Sequence, residues 1–188
     1  MRRILVTGNA GAGKSTLARR IAAELDLPCH GLDAVVWQPG WRKTPADERD
    51  RRIAELVRQE AWVIDGVSSA VQEAADTVIF LDVPRRVSFL RTARRNWPYL
   101  FRSRPGLPPN CPEILIVPKL CRIIWNFPRL VRPGILERMA AGAGKQQCFH
   151  VATPAGWDCL SKAIAGMRLS KEELVRTRRD ADWQEKSS

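Results

Sequence analysis

The sequence predicts an α/β fold in which a parallel β-sheet is covered by helices on both faces. Five short β-type runs lie along the chain, and helical patterns separate most of them. Their apolar residues do not alternate strictly with polar ones, which is typical of strands buried on both faces of a sheet. A glycine-rich segment between the first run and the first helix has the spacing of a phosphate-binding loop. These features predict a three-layer architecture.

The predicted strands are residues 3–6, 28–31, 62–65, 77–82 and 148–152. A first helix follows the glycine-rich segment, because apolar residues recur at helical spacing from Leu17 to Leu25. A second helix is expected to begin after Thr44, with the Thr44 side chain as its cap and Pro45 at the first helical position. The last predicted helix lies within residues 155–169, behind the fifth strand.

The stretch 85–140 differs from the rest in composition. It is rich in Arg, Pro and Trp and has no strand pattern, which predicts helices around a proline-rich turn at 103–113. Residues 169–188 mix charges of both signs with few apolar residues, so they are expected to form a frayed or disordered tail. The predicted organisation is one domain over 1–168, with 85–140 inserted in it, and a C-terminal tail.

The segment GNAGAGKST, residues 8–16, matches the complete G-x-x-x-x-G-K-[ST] pattern. Glycines at these positions permit positive φ and let backbone N–H groups approach an anion. Lys14 is placed to contact the β and γ phosphates of a nucleotide, and Ser15 to ligate Mg²⁺. The following helix points the positive end of its dipole at the same anion. The predicted nucleotide-binding residues of this loop are Gly8, Asn9, Ala10, Gly11, Ala12, Gly13, Lys14, Ser15 and Thr16.

A second glycine-rich segment, AGAGKQQ at 141–147, is similar but lacks two required residues. Met139 stands where the first glycine belongs, and Gln146 stands where the hydroxyl residue belongs. We interpret this segment as a flexible connection. The first segment could itself be only a glycine-rich turn, but the order strand, loop, helix favours the phosphate-binding interpretation.

The composition is that of a globular protein, with 188 residues of which 45% are hydrophobic. The five cysteines have no metal-ligand spacing, and their odd number argues against a disulfide framework. No signal-peptide pattern follows Met1, and no apolar stretch reaches the roughly 18 residues needed to span a bilayer. We therefore expect a reduced, cytoplasmic protein without a transmembrane segment.

The net charge of +11 is concentrated in one part of the chain. Residues 85–132 contain 11 Lys and Arg residues and a single acid, Glu113, so that this segment alone carries a net charge of +10. Such a segment predicts an anionic partner, which could be a nucleotide polyphosphate, a nucleic acid or an acidic membrane surface.

Two aspartates follow predicted strands. Asp65 ends the apolar run WVID and is expected to hold the water shell of Mg²⁺, although it could simply cap a turn. Asp33 follows the second strand in the same way, and the carboxyl edge of a parallel sheet is where ligands bind. We expect Asp33 to orient or deprotonate an acceptor hydroxyl or to contact the metal shell; the alternative is a solvated loop residue. Trp37 and Trp41 are interpreted as packing residues that could also line an acceptor pocket.

Several ordered segments resemble the adenylate-kinase-like P-loop kinases, and among them the group often labelled DNA topology modulation proteins. The segments are the loop at 8–16, LDAVVWQPGW at 32–41, WVIDG at 62–66, ADTVIFLDVPRR at 75–86 and NCPE…WNFPR at 110–129. The resemblance spans roughly residues 1–165 and implies a P-loop NTPase fold with strand order 2-3-1-4-5, an ATP donor and an Arg-rich helical lid. The chain departs from the group at Val67 and Ser68, where members carry Asn and Tyr.

The resemblance also implies roles for individual residues. Arg91 and Arg95 match two lid arginines; they stand four apart on one helix face, whereas Arg85, Arg86 and Arg94 face elsewhere. From their own spacing, three residues apart after WNFP, Arg129 and Arg132 are the next candidates, for a second clamp across the closed lid. The segment VATPAGW resembles the adenine-binding loop, with Thr153 and Pro154 matching best. The predicted catalytic residues are Lys14, Asp33, Arg91, Arg95, Arg129 and Arg132, and the predicted metal ligands are Ser15 and Asp65.

The function favoured by these patterns is phosphoryl transfer from ATP, with Mg²⁺, to a small acceptor such as a nucleoside monophosphate. The rival function is a nucleic-acid-binding P-loop ATPase or regulator that uses the basic segment 85–132, in which aromatic residues stand among the arginines. A third interpretation is that this segment docks on anionic lipid, against which its helix-breaking prolines argue. His30 and His150 are interpreted as structural.

Overall fold

The computed structural model describes residues 2–101, 110–152, 160 and 162–166. The strands in these ranges are β1 (Arg3–Gly8), β2 (Cys29–Gly31), β3 (Trp37–Gln38), β4 (Arg42–Lys43), β5 (Trp62–Asp65), β6 (Thr77–Leu81) and β7 (Gln147–Val151). The helices are α1 (Lys14–Leu25), α2 (Leu32–Val36), α3 (Ala46–Arg58), α4 (Ser69–Ala74), α5 (Arg85–Asn96), α6 (Val117–Leu130) and α7 (Arg132–Ala141). Short 3-10 turns occupy Pro39–Trp41, Trp97–Tyr99 and Glu113–Leu115.

Five of the strands form one parallel sheet, in the order β2-β5-β1-β6-β7. The other two, β3 and β4, form an antiparallel hairpin apart from it. The five-stranded parallel sheet is therefore confirmed. In whole-chain numbering its order is 2-5-1-6-7 rather than the expected 2-3-1-4-5, because the sequence analysis did not anticipate the two hairpin strands that intervene.

Helices cover both faces of the sheet. Alternate residues of β1 enter different clusters of buried side chains: Ile4 and Val6 pack with α1, whereas Leu5 packs on the opposite face with residues of α3, α4, α6 and α7. Leu160 joins the α1 side. A strand buried on both faces needs apolar residues at every position, which is why the predicted runs lacked alternation.

The parallel register brings the carboxyl ends of three strands together. Val6 lies beside Asp65 of β5, and Gly8 lies beside Leu81 of β6. The loop that leaves β1, the carboxylate that ends β5 and the residues after β6 therefore share one edge of the sheet. This edge is where open α/β sheets bind ligands.

The predicted helices in 85–140 are present as α5, α6 and α7. Helix α6 contains two prolines, but Pro118 lies in its first turn, where no intrahelical N–H is needed, and Pro128 lies in its last turn. Residues 103–109 of the expected proline-rich turn and the tail 169–188 lie outside the described residues. Of the last predicted helix, Leu160 and residues 162–166 are helical. Within the described ranges, no helix has both the length and the apolarity needed to cross a bilayer.

The predicted capping role of Thr44 is wrong. Helix α3 begins at Ala46, with Pro45 as its N-terminal cap residue. The Thr44 hydroxyl instead donates to the carbonyl of Val35 at 2.7 Å, and the Thr44 backbone N–H donates to Val36 at 3.0 Å. Thr44 is buried, and its two hydrogen bonds join α2 to the residues before α3. The spacing of residues around Thr44 in the sequence gives no sign of these bonds.

The second glycine-rich segment is an ordered turn with a structural role. The Gln146 side-chain amide donates to the carbonyls of Gln72 and Ala75, each at 2.8 Å. These carbonyls lie at the C-terminal end of α4, where a helix leaves acceptors without intrahelical partners. Gln146, one of the residues at which this segment departs from the phosphate-loop pattern, therefore caps the C-terminal end of α4.

Helix α5 packs directly against the glycine-rich loop. Gly11 has a φ of +75°, and a Cβ added there would lie 2.4 Å from Thr92 Oγ1 and 2.5 Å from the Ser88 carbonyl oxygen. The loop and α5 are thus in contact at a distance that only glycine allows.

Gly11→Ala should therefore be more destabilising than the same change at Gly144. Gly144 also has positive φ, +91°, but no atom lies within 4 Å of its added Cβ. Both substitutions carry backbone strain of about 1–2 kcal/mol, and Gly11→Ala adds overpacking of about 1–3 kcal/mol. Urea unfolding of both variants measures the difference. Equal losses would contradict the close approach of α5 to the loop.

Candidate functional site

The loop between β1 and α1 has the backbone of an anion-binding turn. Gly8, Gly11 and Gly13 have φ values of +146°, +75° and +100°, all in the region that favours glycine. A Cβ added at Gly8 would lie 2.5 Å from the Leu81 carbonyl oxygen, whereas one added at Gly13 meets no atom within 4 Å. The loop is packed against β6 at one end and open at the other, where α1 begins. The open end directs the positive end of α1 outward.

Asn9 holds the loop together from inside. It is 2% exposed, its Nδ2 donates to the carbonyl of Ile124 on α6 at 3.1 Å, and its Oδ1 accepts from the backbone N–H of Ala10 at 2.8 Å. Its carbonyl oxygen accepts from the Lys14 ammonium at 2.9 Å and from the Ala12 N–H at 3.2 Å. The predicted role of Asn9 rested on its place in the motif, and the structure adds an anchoring role.

Ser15 and Asp65 are in direct contact. The Ser15 hydroxyl donates to Asp65 Oδ2 at 2.6 Å, which joins the first turn of α1 to the end of β5. Among the described residues no group of three or more His, Cys, Asp and Glu side chains could hold a metal by itself. Mg²⁺ in nucleotide sites takes most of its ligands from phosphates and water, so one hydroxyl and one carboxylate fit that ion. Thr16, next along α1, is exposed.

The environment of Asp65 favours its neutral form. Burial raises the pKa of Asp65, and the neighbouring Asp33 charge raises it further. The hydrogen bond from Ser15 and the positive charge of Lys14 oppose this increase only in part, so the pKa remains above its ordinary value. A bound cation would supply the positive charge that this carboxylate lacks.

Asp33 lies in α2, immediately after β2, and its side chain is exposed. Its effect on the pKa of Asp65 places the two carboxylates within electrostatic reach of each other. The structure therefore brings together Lys14, Ser15, Asp33 and Asp65 at one edge of the sheet, as the positions after strands predicted.

Trp37 and Trp41 are packing residues in the hairpin that follows α2. Their rings meet edge to face at 5.3 Å between centroids, and Trp41 Nε1 donates to the Pro112 carbonyl at 2.8 Å. The Lys119 ammonium lies 4.4 Å from the centre of the Trp37 ring. The hairpin after Asp33 is thus fastened to the segment that leads into α6.

The structure separates Arg91 from the other arginines of α5. Arg91 Nη1 faces the carbonyl oxygen of Ala12 in the loop, at 3.4 Å. Arg95 lies one turn further along, and its Nε donates to Asn96 Oδ1 at 2.9 Å. Arg94 is exposed, whereas Arg85, which was expected to face away from the lid arginines, stacks at 4.6 Å over the Trp125 ring.

Arg129 and Arg132 are not brought together as a pair. Arg129 is exposed in the last turn of α6, and Arg132 begins α7. Arg132 binds Asp82, at 2.8 Å from Nη2 and 2.9 Å from Nε, and the same carboxylate oxygen lies 2.8 Å from His150 Nε2. Burial opposes ionisation of Asp82, but the hydrogen bonds from Arg132 and His150 outweigh it and lower its pKa.

Asp82 and His150 were not recognised as a pair from the sequence. Asp82 follows β6 as Asp65 ends β5, so the same positional signal was available. His150 lies on β7 beside Phe80, and the rings stack at 5.3 Å between centroids. The prediction that His150 is structural agrees with these contacts. Thr153 and Pro154 lie outside the described residues.

The fold is similar to that of a shikimate kinase from Acinetobacter baumannii in complex with shikimate. The two chains share 19% sequence identity with a TM-score of 0.56, over 91% of this chain and 94% of that one. A gluconokinase from Sinorhizobium meliloti 1021 is less similar, with a TM-score of 0.46 and 18% identity over 94% of this chain and 97% of that one. A deoxyadenosine kinase from M.mycoides with bound dATP has a TM-score of 0.47 and 14% identity over 86% of this chain and 98% of that one. No family model and no curated protein matches the chain. The likeness to the shikimate kinase establishes the fold.

Replacing aspartate by asparagine should change the stability in opposite ways at Asp65 and Asp82, because their pKa values are shifted in opposite directions. Between the ordinary aspartate pKa and the raised pKa of Asp65, the folded state holds a proton that the unfolded state has released. The free energy of unfolding therefore falls as the pH rises through this window. Asp65→Asn should remove that fall and be no less stable than the wild type at neutral pH.

Asp82→Asn should lose stability at neutral pH. The lowered pKa of Asp82 contributes stability that is present above the ordinary aspartate pKa and disappears as the pH falls through the lowered value. Urea unfolding of both variants from acid to neutral pH measures the two slopes. Similar losses of stability in both variants would show that the electrostatic description of Asp65 is wrong.

Proposed function

We propose that the chain is an ATP-dependent phosphotransferase that moves the γ-phosphate of MgATP to a small acceptor. The observation that carries the proposal is the 2.6 Å hydrogen bond between the Ser15 hydroxyl and the Asp65 carboxylate. It joins the last residue of the glycine-rich loop motif to a carboxylate from the neighbouring strand. The fold shared with a shikimate kinase is consistent with this chemistry.

The loop residues have distinct proposed roles. The backbone N–H groups from Gly8 to Gly13 would surround the phosphates, and Lys14 would leave the Asn9 carbonyl to contact the β and γ phosphates. Ser15 and Asp65 would hold Mg²⁺, one through a direct bond and the other through water. The ion supplies charge neutralisation for the transferred group. Thr153 and Pro154 are proposed to lie along the base.

Asp33 is proposed to orient or deprotonate the acceptor hydroxyl. It is exposed at the same edge as Asp65, and the hairpin that follows it is fastened to the segment before α6 through Trp41 and Pro112. The acceptor would lie between α2 and α6. A nucleoside monophosphate is the acceptor that the resemblance to adenylate-kinase-like proteins, in the group labelled DNA topology modulation proteins, suggests.

Arginines from α5 and α6 are proposed to form an Arg-rich lid over the phosphates. Arg91 is already in contact with the loop, and Arg95 lies one turn away on the same face. Positive charge brought to the transferred phosphoryl group stabilises the transition state more than the ground state. Arg129 is exposed and could join them, whereas Arg132 would first have to release Asp82.

A screen for ADP release over nucleoside monophosphates and small alcohols tests the function. Wild-type protein should release ADP in response to at least one acceptor, and Lys14→Ala should abolish that release because the phosphates lose their cation. The matched control is Lys145→Ala, which removes the exposed lysine of the second glycine-rich segment. The proposal fails if folded Lys14→Ala protein turns over ATP like the wild type, or if no acceptor stimulates release while nucleic acid does.

Arg91→Ala and Arg94→Ala separate the lid arginines. Arg91→Ala should lower turnover by on the order of 10³-fold, as for other arginines that contact a transferred phosphoryl group, with a smaller change in ATP affinity. Arg94→Ala, three residues along and exposed, should leave turnover close to that of the wild type. Steady-state kinetics and ATP titration measure both. Equal effects from the two substitutions would contradict a specific role for Arg91.

A further inference from the structure

Large exposed apolar side chains are concentrated in one stretch of the chain. Among the described residues, nine large hydrophobic side chains are exposed, and eight of them lie between residues 90 and 130. The eight are Leu90, Trp97, Phe101, Ile114, Leu115, Ile123, Trp125 and Leu130. Leu90 is 72% exposed and Leu130 is 76% exposed. Exposed apolar side chains grouped in this way mark an interaction surface.

The same part of the chain is strongly basic, and it shows almost no negative charge to solvent. The one acidic residue between 85 and 132, Glu113, is 2% exposed and accepts a hydrogen bond from Asn96 at 2.8 Å. The exposed charges of the described residues in this segment are therefore all positive. The surface is complementary to an anionic partner.

Helix α5 directs one face to the loop and another to solvent. Ser88, Thr92 and Asn96 are buried and form the inner face. The outer face consists of Arg86, Leu90 and Arg94, which are exposed at spacings of four residues, and the exposed Trp97 directly follows the helix. Arginine and large apolar residues alternate along this face.

Helix α6 repeats the arrangement. It buries a narrow strip that contains Ile124 and Phe127, and it exposes Arg122, Ile123 and Leu130. The prolines that argued against a helix here lie in its first and last turns, so that α6 is a continuous amphipathic helix of 14 residues. Within α6, the prolines are therefore no objection to lipid binding.

The outer faces of α5 and α6 contain residues suited to a bilayer interface. Arginine side chains pair with anionic headgroups, tryptophan resides at the headgroup level, and leucine and isoleucine insert below it. Five of the eight exposed apolar residues are aliphatic, and aliphatic side chains gain little from phosphates or from stacking on bases. The composition therefore favours lipid over nucleic acid.

We propose that the outer face of α5, with Arg86, Leu90 and Arg94, and the adjoining Trp97, together with the exposed Arg122, Ile123 and Leu130 of α6, docks on membranes rich in anionic lipid. On α5, this surface lies opposite the buried face, whose Ser88 and Thr92 pack against the glycine-rich loop. The interaction combines headgroup charge with shallow apolar insertion and requires no transmembrane segment.

Vesicle flotation tests the proposal with the full chain. Wild-type protein should bind phosphatidylcholine vesicles that contain about one-third phosphatidylglycerol and should not bind phosphatidylcholine alone. The double substitution Arg94→Ala/Arg122→Ala should weaken binding by about 30-fold, since each arginine near an anionic surface contributes about five-fold. Leu90→Ser/Leu130→Ser should weaken it by about ten-fold.

The matched control is Arg51→Ala/Arg58→Ala, which removes the same charge from exposed positions on α3. Thermal unfolding checks that each variant is folded. The proposal is overturned if the control weakens binding as much as Arg94→Ala/Arg122→Ala, or if wild-type protein does not bind the anionic vesicles at low salt. It is also overturned if duplex DNA binds more tightly than the vesicles and only the arginine variant loses that binding.

Discussion

The packing of the glycine-rich loop against α5 and α6 is the constraint on which the site depends. Gly11 lies so close to Thr92 and the Ser88 carbonyl that any side chain would collide with them. Asn9 is buried and bonded to the Ile124 carbonyl of α6. These contacts fix the loop from two sides, and Lys14 and Ser15 begin α1 directly behind it. Helices α5 and α6 therefore help to hold the glycine-rich loop in its conformation.

Three aspartates, Asp33, Asp65 and Asp82, lie at or just after the carboxyl ends of strands, but they differ in burial and in their partners. Asp65 is partly buried and accepts a hydrogen bond from Ser15, and burial raises its pKa. Asp82 already has two partners, Arg132 and His150. Their hydrogen bonds lower its pKa and join β6, α7 and β7. Asp33 is exposed at the same edge of the sheet as Asp65, where a ligand can reach it. The surroundings, more than the strand-end position, decide the role.

Much of the fold followed from local patterns. The five strands of the sheet lie within a few residues of their predicted ends, because strands buried on both faces leave continuous apolar runs in the sequence. Helix α1 follows the glycine-rich loop as the motif predicts. Ser15 and Asp65 were both expected at a metal ion, one from the loop motif and the other from a strand end, although 50 residues separate them. Contacts that neither a motif nor a strand end marks were not predictable. The Thr44 hydroxyl bonds Val35, and Gln146 closes α4, and neither partner is signalled by neighbouring residues.

The arginines show the same limit. Helical spacing by itself does not separate Arg91 from Arg94, because residues three apart are neighbours on a helix surface; the contact of Arg91 Nη1 with the Ala12 carbonyl is what distinguishes Arg91. Spacing also suggested that Arg129 and Arg132 act together, but the chain changes helix at Val131 and Asp82 binds Arg132. Helical periodicity predicts which residues share a face only while the helix continues.

The central claim is that the γ-phosphate of ATP is delivered to a small molecule rather than to water. Phosphorus-31 NMR of the protein with MgATP and an acceptor mixture measures this directly. The account predicts a new phosphate-ester or phosphoanhydride resonance that grows with the resonances of ADP. Growth of inorganic phosphate alone, at a rate that the acceptors do not change, would contradict it.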